Sequence, residues 1–168
     1  MMRTSLLVPM LLALNSLASA QQTAPKPACT SAENKQFDYW AGEWNVFNLE
    51  GAQIGSSRVT SIAGGCGLLE EWQPGNQAGG KSLNFFDASD GRWHQVWVGA
   101  GGIVRIAGGL QNGVMTLVGV DRKTPQGTVR DRITWAPQTD GAVEQRWDLS
   151  SDGGATWKTG FVGIYRRK

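Results

Sequence analysis

His94 is the only histidine in this chain, and Cys29 and Cys66 are its only cysteines. That scarcity excludes a metal cage built on several imidazoles and a four-ligand Cys/His zinc site, so no metal and no cofactor is expected. Charge is sparse and balanced, 16 Lys and Arg against 14 Asp and Glu. The basic residues are scattered rather than striped, which leaves no electrostatic footprint for nucleic acid. Long apolar runs are missing: Leu6 to Leu14 is the longest, well short of the roughly 20 residues needed to span a bilayer. No Gly-x-Ser-x-Gly elbow and no hydrolase-like order of Ser, His and Asp is present. Gly99-Ala100-Gly101-Gly102 and Ala78-Gly79-Gly80 are glycine-rich, but neither opens a helix nor ends in Lys-Ser/Thr. They read as hairpin loops rather than phosphate cradles.

What is present begins with an export signal. Arg3, the apolar stretch Leu6 to Leu14 and the small-x-small triplet Ala18-Ser19-Ala20 read as a signal peptide over residues 1–20, cleaved near Ala20. The product is expected in the periplasm or secreted. A lipid anchor on Cys29 is not expected, because Pro27-Ala28 precedes it where a Leu-rich lipobox would stand. Residues 21–30 are polar and Pro-bearing and read as a disordered leader. Residues 31–168 form one domain; a mature chain of roughly 150 residues buries about two-thirds of its surface in one core. In an oxidising compartment Cys29 and Cys66 are expected to form a disulfide. The alternative is a buried Cys66 and a free Cys29 on a mobile tail.

Ser31-Ala32-Glu33-Asn34 resembles a helix start with Ser31 as N-cap, and Phe37 and Trp40 follow at helical spacing, so a short N-terminal helix is expected. After Gly42 the apolar period changes to two, punctuated by Gly, Asn, Asp and Pro. Ten strands follow from that pattern: Trp44 to Leu49, Gln53 to Ile62, Gly67 to Trp72, Ser82 to Asp87, Arg92 to Val98, Ile103 to Gly108, Val114 to Asp121, Thr128 to Trp135, Ala142 to Leu149 and Thr156 to Arg166. Joins such as Gln111-Asn112-Gly113 are too short for crossover helices, so each strand pairs antiparallel with the next. A meander of about ten strands leaves two unpaired edges unless it closes. The expectation is an all-β, closed antiparallel meander barrel.

Strand side chains alternate between faces. Glu70 with Trp72; Leu83 with Phe85; Trp93 with Gln95 and Trp97; Ile133 with Trp135; Gln145 with Trp147; and Trp157 with Phe161 and Tyr165 are therefore read as same-face sets. If Ala88-Ser89-Asp90-Gly91 is a type I turn with a glycine bulge, Phe85 faces Gln95 and Leu83 faces Trp97, which puts Phe85 inside. His94 then lies outside; were the faces inverted, it would pair with a carboxylate such as Glu71. Two readings of the interior follow. Indoles fill a solid barrel with Gln and Glu bonded to their N–H groups, or Glu70, Trp72, Phe85, Trp93, Gln95, Trp97, Trp135, Gln145 and Trp147 line a half-polar ligand pocket.

Ser150-Ser151-Asp152-Gly153-Gly154-Ala155-Thr156-Trp157 matches the Asp-box hairpin turn of sialidase-type propellers, and only its turn geometry carries over. Phe37-Asp38-Tyr39-Trp40-Ala41-Gly42-Glu43-Trp44 resembles the opening of a family of small exported bacterial proteins of unknown function. Further matches are Gly65-Cys66, Leu69-Glu70-Glu71-Trp72, Ser82-Leu83-Asn84-Phe85, Asp90-Gly91-Arg92-Trp93-His94-Gln95 and Tyr165-Arg166-Arg167. More distantly, Gly42-x-Trp44 with a late arginine is similar to the lipocalin and fatty-acid-binding (calycin) group. There a Trp closes the barrel floor and an Arg stacks across it, which implies that role for Trp44 with Arg166 or Arg167. The ten-strand nitrobindin type is similar in architecture, but no axial histidine stands near the C-terminus. The expected function is binding of a small, partly aromatic or amphipathic molecule. The alternatives are an isomerase or hydrolase using Glu70 or His94 as acid–base group, and a structural barrel acting through its surface on an envelope partner.

Overall fold

The computed structural model describes residues 29–168; the expected signal peptide and most of the expected leader, residues 21–28, lie outside them. Eleven strands form in chain order: β1 Gly42–Phe47, β2 Gln53–Ile62, β3 Gly67–Pro74, β4 Gly80–Asp87, β5 Arg92–Gly99, β6 Gly102–Gln111, β7 Val114–Gly119, β8 Arg122–Thr124, β9 Gly127–Pro137, β10 Val143–Ser150 and β11 Lys158–Arg167. All pairings are antiparallel, and ten strands close a ring by β1 pairing with β11 and β9 with β10. The eleventh, β8, pairs only with the start of β9 as a short arm beyond the ring. Its three residues carry no inward alternation, so nothing in the pattern announces it.

One end of the barrel is closed by the N-terminal segment. In place of a regular helix, two 3-10 turns form at Glu33–Lys35 and Asp38–Trp40. Ala32 occupies the capping position without a side-chain bond, and the Ser31 hydroxyl instead accepts from Asn34 Nδ2 at 2.9 Å. These turns drive Phe37 and Trp40 into the barrel. Phe37 stacks on Trp40 with ring centres 4.9 Å apart and meets Trp93 and Trp135 edge-on at 5.5 and 5.1 Å. All four are buried, and such aromatic pairs each contribute about 1 kcal/mol beyond area burial. Backbone oxygens fix the orientation: Trp93 Nε1 donates to Glu33 O at 3.1 Å and Tyr39 Oη to Trp135 O at 2.9 Å.

Arg167, not Arg166, stacks on Trp44, its guanidinium carbon 4.4 Å from the ring centre, and donates to the carbonyls of Ala41 and Tyr39. Trp44 Nε1 donates to Trp40 O at 2.9 Å. Arg166 alternates to the exterior and pairs with Asp140 at 2.8 Å, so the closing role considered for it is corrected. Gly42 stands at φ 147°, a backbone conformation that side-chain-bearing residues rarely adopt, which is why glycine precedes this tryptophan by two.

Cys29 and Cys66 form a disulfide, a bond of oxidising, non-cytoplasmic environments. No helix among the described residues is long and apolar enough to cross a membrane. The bond ties the chain ahead of the plug to the β2–β3 connection, across a separation of 37 residues. Closing that loop removes roughly 4 kcal/mol of denatured-state entropy in the chain model. Replacing both cysteines with alanine is therefore expected to lower the unfolding free energy by up to about 4 kcal/mol, read as a lower urea midpoint with a slope that rises as the denatured chain loses its crosslink. An unchanged midpoint would mean that the plug is held by its aromatic contacts alone.

Candidate functional site

The plug occupies one half of the barrel, and the other half holds a cavity of about 380 Å³, within the size range of small-molecule sites. β3, β5 and β10 run from the plug toward the open end, so residues along each enter the cavity in sequence: Glu70 then Trp72, Gln95 then Trp97, Gln145 then Trp147. Those six expected residues line it. Trp93 and Trp135 are buried against the plug instead, belonging to its packing rather than to the cavity wall.

Phe85 is a correction. Ala88-Ser89-Asp90-Gly91 forms a four-residue loop, closed by Gly91 N donating to Asp87 O at 2.9 Å with Gly91 at φ 69°. Asp87 then pairs with Arg92 and Phe85 with His94, one residue off the expected register, and a one-residue slip inverts the faces of a strand. Phe85 stacks outside the barrel on the His94 ring at 5.4 Å, and Leu83 is exposed. Ser82 and Asn84 take the interior places. Trp157 is likewise outside, under the Arg132 guanidinium at 4.3 Å, because β11 skips Gly160 in its pairing with β10 and so reverses alternation before Phe161. The Asp-box turn itself is as expected: Asp152 accepts from Thr156 N and Oγ1 at 2.9 and 2.6 Å.

Small inward residues make room for large ones. A Cβ on Gly80 would lie 2.4 Å from the Trp97 ring, and one on Gly55 would lie 2.7 Å from the Trp72 ring, so these two indoles lie flat across glycine backbone. Phe161, Tyr165, Ile133, Val104 and Leu149 complete much of the wall. At the mouth, the arm of β8 delivers Arg122, which donates from Nε and Nη2 to Asp131 at 2.6 and 3.0 Å. Asp131 also accepts from Trp147 Nε1 at 2.9 Å.

The polar layer between plug and mouth is bonded into one network. Glu70, only 2 % exposed, accepts from Ser57 Oγ at 3.2 Å and Ser82 Oγ at 2.9 Å. Asn84 Nδ2 donates to Ser82 Oγ and Gln95 Nε2 to Asn84 Oδ1, at 2.9 and 2.8 Å. Tyr165 Oη donates to Gln145 Oε1 at 2.5 Å and lies 3.4 Å from Glu70 Oε1. Burial pushes the Glu70 carboxyl up to about 7, the hydroxyls of Ser82, Ser57 and Tyr165 around it offsetting only part of the cost. Burial, with the neighbouring carboxylate, holds the Tyr165 phenol well above its usual range. Ser57, Ser82 and Asn84 escape a reading of the sequence because short polar residues are common on exposed strand faces; their alternation with Gly55 and Gly80 is the signal that was available.

Chemically, a carboxyl poised near neutrality beside open volume can hold or exchange a proton, and the amides and indoles orient a flat, half-polar molecule. His94 takes no part: it is outside the barrel, bonded to Asp90 Oδ2 at 2.9 Å, while Glu71 pairs with Lys81. Asp87, Asp90 and His94 form a cluster whose ligand atoms lie within 4.8 Å, on a hairpin turn remote from the cavity. A barrel enclosing buried aromatic residues around such a space is compatible with ligand binding. No family model matches the chain, and no curated protein matches it in sequence.

Glu70 leaves a mark on stability. Its carboxyl binds a proton more tightly in the native state than in the unfolded chain, near 4.5, so its contribution is full below that pH and is lost as pH rises toward about 7. The cost reaches up to about 3 kcal/mol above that window. Urea titrations from pH 4 to 8 are expected to show Glu70→Gln gaining stability relative to the parent as pH rises; a pH-independent difference would contradict this. Gly80→Ala is expected to push the Trp97 indole out of place and destabilise by about 1–3 kcal/mol, with a changed near-ultraviolet circular dichroism band as the readout.

Proposed function

We propose that this protein is an exported, lipocalin-like carrier or receptor that binds a small, partly aromatic or amphipathic molecule inside the open half of its barrel. The observation that carries the reading is the cavity of about 380 Å³, walled by the indoles of Trp72, Trp97 and Trp147 and closed below by a bonded carboxyl–amide layer. A solid core, as a purely structural barrel would have, leaves no such space. Gln95 spends its Nε2 on Asn84 and Ser82, and Gln145 its Oε1 on Tyr165. That leaves Gln95 Oε1 as an acceptor and Gln145 Nε2 as a donor, each without a side-chain partner among the described residues, to orient a ligand's polar edge. The oxidised Cys29–Cys66 pair supports export to a periplasmic or extracellular setting, and the Trp44–Arg167 stack supports the calycin likeness.

A second reading draws on one observation, the buried near-neutral Glu70 carboxyl: an isomerase using that group alone to move a proton across a bound substrate. Binding of the same class of molecule is the first step in either case.

Native mass spectrometry of the protein purified from its own source is expected to reveal a co-purifying small molecule, and titration with aromatic amphiphiles to quench tryptophan emission saturably. Gly101 lines the mouth and a Cβ there meets nothing within 4 Å, so Gly101→Trp fills the entrance without disturbing the wall. It is expected to reduce ligand occupancy about tenfold or more. Neither a carried molecule nor any quenching across the series would count decisively against the pocket.

A further inference from the structure

We propose that the ligand is an organic cation, a protonated amine or quaternary ammonium on an apolar or aromatic body, whose charge sits against the Glu70 carboxylate between indole faces. This rests on the pocket reading above and narrows it to one chemical class.

Charge balance around the cavity carries the argument. Among the residues lining it, Glu70 and Arg122 are the only ones with ordinarily charged side chains. Arg122 is committed by two bonds to Asp131, and that pair sums to neutrality at the mouth. Glu70 has no such partner. The groups facing it are Ser57 from β2, Ser82 from β4 and Tyr165 from β11, all neutral, with Gln95 and Gln145 in the same layer. The charged side chains of the adjoining strands, Arg58, Glu71 and Lys81, alternate to the outer face, where Lys81 pairs with Glu71 and Arg58 with Glu43. A buried, uncompensated carboxyl is costly unless a positive group joins it.

Hydrogen-bond capacity points the same way. An ionised carboxylate accepts at about four sites. Two are taken by serines, while the Tyr165 proton is directed to Gln145 at 2.5 Å rather than to Glu70 at 3.4 Å. A fatty-acid or other anionic ligand would meet a like charge with no free cation among the described lining residues to receive it. Trp72, Trp97, Trp147 and Phe161 meanwhile offer ring faces, the surfaces that attract a desolvated ammonium. Burial raises the Glu70 carboxyl to about 7; a cation placed beside it favours the ionised form, so binding below that pH expels a proton.

Calorimetry and tryptophan fluorescence of the disulfide-intact protein with three probes built on one benzyl group test this: benzyltrimethylammonium, its uncharged isostere neopentylbenzene and the anionic phenylacetate. The cation is expected to bind about tenfold or more tightly than either of the others at pH 8. Its affinity should fall severalfold at pH 6, where buffers of different ionisation heat reveal proton release. Glu70→Gln is expected to bring the cation's affinity down to that of neopentylbenzene and to abolish the release. Should that variant fail to fold, the pH dependence and proton release of the unaltered protein decide the matter. Equal or tighter binding of neopentylbenzene or phenylacetate at pH 8 overturns the cation assignment while leaving the pocket intact. Binding of none of the three overturns both.

Discussion

The pairing of β1 with β11 is the constraint on which the rest of this molecule depends. It places Trp44 opposite Arg167 and Val46 opposite Tyr165, removes both sheet edges, and creates an inside. Only then does the segment ahead of β1 have a hydrophobic hole to enter. Phe37 and Trp40 fill it, and the stacked arginine covers the bottom through the Ala41 and Tyr39 carbonyls. Backbone closure, cation–π contact and plug support one another at the same end.

Filling one half of the barrel so completely is what leaves the other half free to be open. Around the plug the interior is packed aromatic carbon: Trp44, Trp93 and Tyr39 donate to backbone oxygens, while the buried Nε1 groups of Trp40 and Trp135 have no partner among the described residues. Above it the inward positions change to Ser57, Glu70, Ser82, Asn84, Gln95 and Gln145, residues that a stability-driven core would replace with Val, Ile and Leu. The local rules of core packing are broken in one contiguous layer, against a cavity, which is where a functional site is expected to carry such a cost.

Alternation in β3, β5 and β10 was legible, because large aromatics and amides two residues apart have no competing explanation. It alone puts Glu70 with Trp72, Gln95 with Trp97, and Gln145 with Trp147 on shared faces. The face of β4 is not legible in the same way, because it depends on how many residues its hairpin loop consumes, and the Gly91 closure differs by one from the turn that Ala88 to Gly91 suggests. The side taken by Trp157 is hidden because skipping Gly160 reverses the parity of β11, and a bulge at glycine has no side chain to announce it. The choice between Arg166 and Arg167 required knowing which strand lay opposite Trp44.

Composition and period by themselves determined the class of the molecule: two cysteines, one histidine, eight tryptophans and a repeating period of two, cut by short turns, specify an antiparallel all-β meander without a histidine-built metal centre. Those are local properties, set by each residue's backbone preference and its nearest neighbours along the chain. What tertiary structure alone decided is that the barrel is half solid and half hollow, and that Glu70 ends without a counter-ion. Both follow from which distant segments meet across the interior, and from how much volume the N-terminal plug takes once the ring has closed around it.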